Sequence, residues 1–219
     1  MMKIYVSFLL TLFSIGVSIA QDWKQINPTI NAGTYYDIDF FDANVGVTVA
    51  QNGWIYKTEN AGDTWQLITS NTTERLNAVK CIDANTAIAV GEGGTILRTV
   101  NAGDTWTAIS TVATYGLYAI CFVNQDTGYV SGLQGMILKT TNGGASWSKQ
   151  TSVATWDLNA IYFTNDSTGY IAGWNGKIIQ TIDAGQNWNL LTTGSSTTFQ
   201  TISFINKDTG FAAGNESGV

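Results

Sequence analysis

An eight-residue motif recurs four times in this chain at a strict spacing of 41 residues. The motif reads Thr-x-Asn/Asp-x-Gly-x-x-Trp, and its copies follow one another without insertions. Its Asn or Asp, Gly and Trp positions are Asn60, Gly62, Trp65, Asn101, Gly103, Trp106, Asn142, Gly144, Trp147, Asp183, Gly185 and Trp188. Spacing this regular predicts a repeat protein in which each copy forms one structural unit.

Each repeat reads as four short strands joined by turns. In the copy over residues 158–192, apolar and β-branched runs alternate with turn residues, and Gly176 lies where a tight turn needs a positive φ. Four antiparallel strands per period are typical of a propeller blade. The sequence therefore predicts an all-β fold, a β-propeller of four-stranded antiparallel blades. About five are present, near 35–69, 76–110, 117–151, 158–192 and, incomplete, 199–219.

The N-terminal residues predict export from the cell. Lys3, the apolar run that follows it and the small residues before Gln21 have the pattern of a signal peptide over residues 1–20. The propeller domain then spans 21–219, without membrane insertion after cleavage, in a secreted, periplasmic or cell-surface protein of a bacterium. Residues 22–27 match the fourth strand of a blade, so we expect them to close the ring as an outer strand. Five blades are expected if the chain ends near residue 219, and continuation into six or seven blades is the preferred interpretation.

Composition excludes several kinds of site. Sixteen acidic and ten basic residues give a net charge of −6, and only Arg75 and Arg98 are arginines, which disfavours nucleic-acid binding. No histidine is present, which excludes Ser-His-Asp triads and most zinc sites. We expect neither a cofactor nor a metal. Cys81 and Cys121 occupy neighbouring positions of equivalent strands in adjacent repeats, and whether they pair is open.

The motif itself is explained by folding. Its Asn or Asp side chain can accept hydrogen bonds from the following turn, its Gly relieves the tight geometry, and its Trp packs between strands. We therefore assign the twelve motif positions a structural role and no catalytic one.

The motif resembles the BNR/Asp-box repeat of sialidases and of many secreted propellers. The wider period has Thr-Gly-Tyr at 127–129 and 168–170 and Gly-x-x-Gly-x-Ile-x-x-Thr over 91–99. It is similar to the photosystem II stability and assembly factor type of propeller, which is common in exported bacterial proteins. Sialidases bind their substrate with three arginines and the assembly factor uses an arginine-rich patch. This chain departs from both patterns because it has only two arginines.

Aromatic departures from the repeat indicate a binding face. Trp54 and Trp174 fall in turns between second and third strands, and Tyr115 and Trp156 fall in loops between blades. All four are expected on the face opposite the motif turns, where they suit sugar rings or an extended peptide. The leading hypothesis is a non-catalytic module that binds a protein or glycan.

Two alternatives remain. Asp37 and Asp39 lie two residues apart on a predicted strand, so both project from one face. Paired carboxylates are what a glycoside hydrolase needs. The family resemblance implies the other alternative, an assembly or stability scaffold for a membrane complex.

Overall fold

The computed structural model describes residues 33–216, which fold into successive antiparallel sheets, as the repeat predicts. Four sheets have four strands each and a fifth has two, so the predicted all-β class and the incomplete last blade are confirmed. The predicted signal peptide over residues 1–20 and the predicted closing strand over 22–27 lie outside the described residues.

The strands of each blade follow one another in chain order across the sheet. Blade 1 comprises Tyr35–Phe40, Gly46–Ala50, Ile55–Thr58 and Gln66–Ile68. Blade 2 comprises Leu76–Cys81, Ala87–Gly91, Ile96–Thr99 and Thr107–Ala108. Blade 3 comprises Leu117–Phe122, Gly128–Gly132, Ile137–Thr140 and Ser148–Lys149. Blade 4 comprises Leu158–Phe163, Gly169–Gly173, Ile178–Thr181 and Asn189–Leu191, and the fifth sheet comprises Thr197–Asn206 and Thr209–Glu216.

A short 3-10 turn joins the second and third strands of each four-stranded blade. These turns are Gln51–Gly53, Glu92–Gly94, Leu133–Gly135 and Trp174–Gly176. Their last residue must be glycine for two reasons, as Gly135 illustrates. Its φ is +73°, and a Cβ there would lie 1.9 Å from the carbonyl oxygen of Ala154. The turn and the loop between blades therefore press against each other on one face of the protein.

The core lies between the blades. Each apolar cluster joins residues of one blade to residues of the next, as when Val47 and Ile55 of blade 1 pack with Leu76 and Trp106 of blade 2. The second strands of blades 2 and 3 are buried on both sides because each lies between two neighbouring blades, and all residues of Ala87–Gly91 and Gly128–Gly132 are buried. Burial on both sides explains why these strands are apolar or small at every position.

The outer sides of the first and last blades are exposed. Ile38 in blade 1 is 52% exposed, whereas Val79 at the equivalent position of blade 2 is 2% exposed. Phe211 in the fifth sheet is 64% exposed, whereas its equivalent Tyr129 is fully buried. Among the described residues, no preceding blade covers Ile38 and no following blade covers Phe211.

Within residues 33–216 the helical content is limited to short turns, and none of it is long and apolar enough to cross a membrane. Cys81 and Cys121 are both free thiols. Burial, with a further contribution from Asp39, raises the pKa of Cys81 to about 12, and burial also raises the pKa of Cys121.

Candidate functional site

The four motif turns lie at the ends of the third strands, on what we call the Asp-box face. In the first copy, the Asn60 Oδ1 atom accepts a hydrogen bond of 2.9 Å from the Thr64 amide, and Thr58 Oγ1 accepts one of 2.9 Å from the Gly62 amide. The Trp65 indole donates to the Gly62 carbonyl at 3.0 Å. The motif threonine and the Asn or Asp side chain accept the same two bonds in the other three copies. These polar groups therefore already have partners inside the turn.

The carboxylates of Asp37 and Asp39 connect blade 1 to blade 2. The Asp37 Oδ2 atom accepts a hydrogen bond of 2.9 Å from the Val79 amide. The Asp39 Oδ2 atom accepts a hydrogen bond of 2.9 Å from the Cys81 amide. It also forms an ion pair of 2.8 Å with the Lys80 ammonium. Burial raises the pKa of Asp37 above its ordinary value, and the hydrogen bond from Val79 opposes this. Both side chains thus have a structural explanation as contacts between blades.

The first strands of the blades surround a central cavity of about 560 Å³. The first strand of each sheet carries an irregularity at one and the same repeat position, where its pairing with the second strand skips a residue. The five skipped residues all line the cavity, and they are Tyr36, Asn77, Tyr118, Asn159 and Gln200. A bulge turns a side chain away from the regular alternation of a strand. The repeated bulge therefore produces a ring of neutral polar side chains at the centre of the protein.

A charged network joins this ring to the turn of blade 2. Arg75 makes an ion pair of 2.5 Å with Glu92 and lies 5.0 Å from the ring centroid of Tyr36. Asn77 donates hydrogen bonds to Glu92 at 3.3 Å and to the Leu117 carbonyl at 2.9 Å. One wall of the cavity is thereby fixed by contacts between blades 1, 2 and 3.

The opposite wall leads into a second cleft of about 330 Å³ on the same face, which we call the cavity face. Asp157 and Trp174 line both spaces, and Trp156 and Lys177 line the cleft. Trp174 is 50% exposed, and the Lys177 ammonium lies 3.9 Å from the ring centroid of Trp156. Because Asp157 and Trp174 line both spaces, the lining of the central cavity continues into that of the cleft. The two together form one surface from the centre of the ring to blade 4.

The structure brings together two of the four aromatic residues that the sequence singled out. Trp156 and Trp174 line the same cleft. Trp54 lines a separate groove of about 570 Å³ beside the loop between blades 1 and 2. Tyr115 is 45% exposed on the loop between blades 2 and 3. Whether any of the four contacts a ligand remains a prediction.

Sequence reasoning missed the ring of bulged residues and Asp157. A signal for the ring was present, since its five members occupy one repeat position and all carry a neutral polar group. The register skip that turns them toward the cavity depends on pairing with the second strand, which a simple alternation of faces does not include.

The chemistry of the ring is that of neutral hydrogen bonding. Its amides and hydroxyls can donate to and accept from peptide groups or sugar hydroxyls. Burial raises the pKa of Tyr118, with further contributions from Glu92 and Asp157, so its hydroxyl stays protonated near neutral pH. No group of three or more His, Cys, Asp or Glu side chains that could hold a metal ion occurs in the described part of the chain.

Comparison with solved structures finds propellers of low sequence identity. A structure of YCF48 bound to D1 peptide aligns with a TM-score of 0.52 at 16% identity, covering 84% of this chain and 89% of that one. An ancestral GH74 enzyme aligns with a TM-score of 0.65 at 15% identity. The GH74 enzyme of Niastella koreensis aligns with a TM-score of 0.62 at 19% identity. Each alignment covers 77% of this chain but only 27% and 31% of the enzymes. At these identities the likeness concerns the fold.

A search of curated proteins finds no match. A family model, by contrast, matches most of the chain, over residues 16–116 and 111–192. It describes the photosynthesis system II assembly factor YCF48. With its 41-residue blades and its motif turns, the chain belongs to this family of β-propellers.

Proposed function

We propose that this protein is a non-catalytic propeller that binds a segment of a partner protein across its cavity face. The observation that carries the proposal is the continuous surface formed by the central cavity and the cleft between Trp156 and Trp174. The bulged ring supplies hydrogen-bonding groups for a peptide backbone, and the two indoles supply apolar area for its side chains.

Two comparisons support a protein ligand. The chain belongs to the family of an assembly factor, and one propeller of similar fold has been solved as YCF48 bound to D1 peptide. The site proposed here is narrower than the four aromatic residues predicted from sequence, because Trp54 and Tyr115 lie apart from the shared surface. A scaffold role in the assembly of a membrane complex is one form that such binding could take, and export of the protein is part of the proposal.

The test uses substitutions that exchange cavity residues for those of a neighbouring repeat. Tyr118→Asn introduces the residue found at the equivalent position 77, and Trp174→Leu introduces the residue found at position 133. Peptides are selected on the purified protein from a displayed random library, and their Kd values are measured by fluorescence polarisation. We expect the double variant to weaken binding at least about tenfold, a loss of about 1.4 kcal/mol.

Val112→Ala is the control, because Val112 is an exposed apolar residue in a loop outside both spaces. We expect its Kd values to stay within about twofold of those of the unchanged protein, which is within the usual range of surface substitutions. Peptides that bind the double variant as well as the unchanged protein would contradict the proposed site. Failure to enrich any peptide, together with glycan binding that the double variant abolishes, would contradict a protein ligand.

A further inference from the structure

Blade 4 departs from the repeat at four positions that meet in one place. Trp156, Asp157, Trp174 and Lys177 all line the cleft on the cavity face. The equivalent residues of the preceding repeat are Tyr115, Gly116, Leu133 and Met136. Since blade 3 forms its turn and its loop without an indole, carboxylate or ammonium at these positions, the fold does not require them in blade 4.

The cleft already contains a cation over an aromatic ring. The Lys177 ammonium lies 3.9 Å from the ring centroid of Trp156, well within the range of a cation–π contact. Across residues 33–216, the structure gives this ammonium no hydrogen bond and no ion pair. Lys177 is therefore held mainly by the indole, and a competing cation can take its place.

The other walls of the cleft also suit a cation. Trp174 presents a half-exposed indole, and Asp157 contributes a carboxylate whose Oδ1 atom accepts one bond of 3.2 Å from the Gln134 amide. Two indoles beside a carboxylate combine π faces with a negative charge, which is how proteins recognise ammonium groups. The net charge of −6 attracts cationic partners to the protein as a whole.

We infer that the cleft formed by Trp156, Asp157 and Trp174 recognises a lysine side chain of the bound polypeptide, whose ammonium displaces that of Lys177. This inference rests on the proposed function, since it names one subsite of the same surface. It makes Lys177 an internal competitor that lowers the affinity for basic peptides and thereby sets a threshold for binding.

The test uses a defined probe, the capped peptide Ac-Gly-Gly-Lys-Gly-Gly-NH2, and an analogue with norleucine in place of lysine. Binding is followed by ¹⁵N NMR at the indole N–H of Trp156, which is buried without a hydrogen-bond partner in the described structure. Trp156→Phe identifies this signal by its disappearance. We expect the lysine peptide to shift the signal in a saturable manner and the norleucine peptide to leave it unchanged.

Substitution of Lys177, the internal competitor, is the more decisive test. Lys177→Met places in blade 4 the residue that blade 3 carries at position 136. We expect it to tighten binding of the lysine peptide by a factor of about 2 to 30, the range of a cation–π contact. Lys149→Met removes the same charge from an exposed strand beside a different groove and controls for net charge. Asp157→Asn should weaken binding.

The inference is overturned if Lys177→Met leaves the affinity unchanged or acts no more strongly than Lys149→Met. It is also overturned if choline chloride shifts the Trp156 signal and the lysine peptide does not. If library peptides nevertheless bind the double variant of Tyr118 and Trp174 more weakly than the unchanged protein, the proposed function stands without the lysine subsite. The lysine peptide binding as expected, while no library peptide depends on the cavity, would remove the proposed function and keep the cation site.

Discussion

The Asp-box face and the cavity face of this propeller are built from the same 41-residue repeat and use it in opposite ways. On the Asp-box face, each four-stranded blade repeats the same turn, and in blades 1 to 3 a cation at one repeat position contacts the motif turn of the next blade. Lys57 pairs with Asp104, Arg98 donates to the Gly143 carbonyl, and Lys139 donates to the Ala184 carbonyl. The threonine and the Asn or Asp side chain of each motif have hydrogen-bond partners within their own turn.

On the cavity face the same backbone carries different side chains in each blade. The position of Trp174 is occupied by Gln51, Glu92 and Leu133 in the other blades. Trp174 is half exposed, and the bulged ring is directed into a cavity. A face whose side chains vary while its backbone repeats is free to acquire a ligand site, because the turn forms in every four-stranded blade with a different side chain at this position.

The largest difference in stability is expected between substitutions of one tryptophan on each face. Trp106 is buried between blades 1 and 2, and its indole donates to the Gly103 carbonyl at 3.2 Å. Trp106→Ala should lower the free energy of unfolding by about 3–5 kcal/mol, because it leaves a cavity in the core. Trp174→Ala should cost less than about 1 kcal/mol, since that indole is half exposed. Chemical denaturation measures both, and similar losses would remove the distinction between the faces.

A smaller effect is expected for single hydrogen bonds. The buried Thr140 hydroxyl accepts a bond of 3.0 Å from the Gly144 amide in the motif turn. Thr140→Val leaves that amide without its partner and should lower the free energy of unfolding by about 1–3 kcal/mol. Gln200→Ala removes an exposed side chain with one bond of 3.4 Å to Asn215 and should cost less than about 0.5 kcal/mol. A loss for Gln200→Ala as large as that for Thr140→Val would contradict the comparison.

The smallest effects are expected in the dependence of stability on pH. Hydrogen bonds from the side chain and backbone of Asn187, and from Thr181, lower the pKa of Asp183 below its ordinary 3.8. The stability that its ionised form contributes is therefore present above pH 3.8 and lost as the pH falls through the folded-state pKa. Asp183→Asn, which restores the residue of the other three motifs, should make the denaturation midpoint less sensitive to acid.

The pKa of Asp37 is shifted in the opposite direction from that of Asp183. Because burial raises its pKa in the folded protein, its ionised form is unfavourable above that pKa, and this cost disappears as the pH falls through it. Asp37→Asn should therefore make the loss of stability in acid steeper than in the unchanged protein. Denaturation midpoints between about pH 6 and pH 3 measure both variants. If both substitutions changed the acid sensitivity of the denaturation midpoint in the same direction, the opposite pKa shifts of the two carboxyl groups would be contradicted.

The architecture of this protein can be predicted from its amino-acid sequence. The spacing of 41 residues, the four-strand reading of each repeat and the glycines at the turns predict the four-stranded blades that the structure contains. This success has a physical reason: turn geometry and alternation along a strand are local properties, so each repeat specifies its own blade. The aromatic departures from the repeat were also visible in the sequence, and they included both indoles of the cleft.

Which of these aromatic and polar residues lie together follows from the packing of the blades. It placed Trp156 beside Trp174 and Lys177, left Trp54 in another groove, and engaged Asp37 and Asp39 between blades. The five bulged residues reach one cavity because a register skip turns each of them inward and because the blades surround a common centre. Those relations join residues tens to more than a hundred positions apart, so the alternation of faces along a single strand does not reveal them.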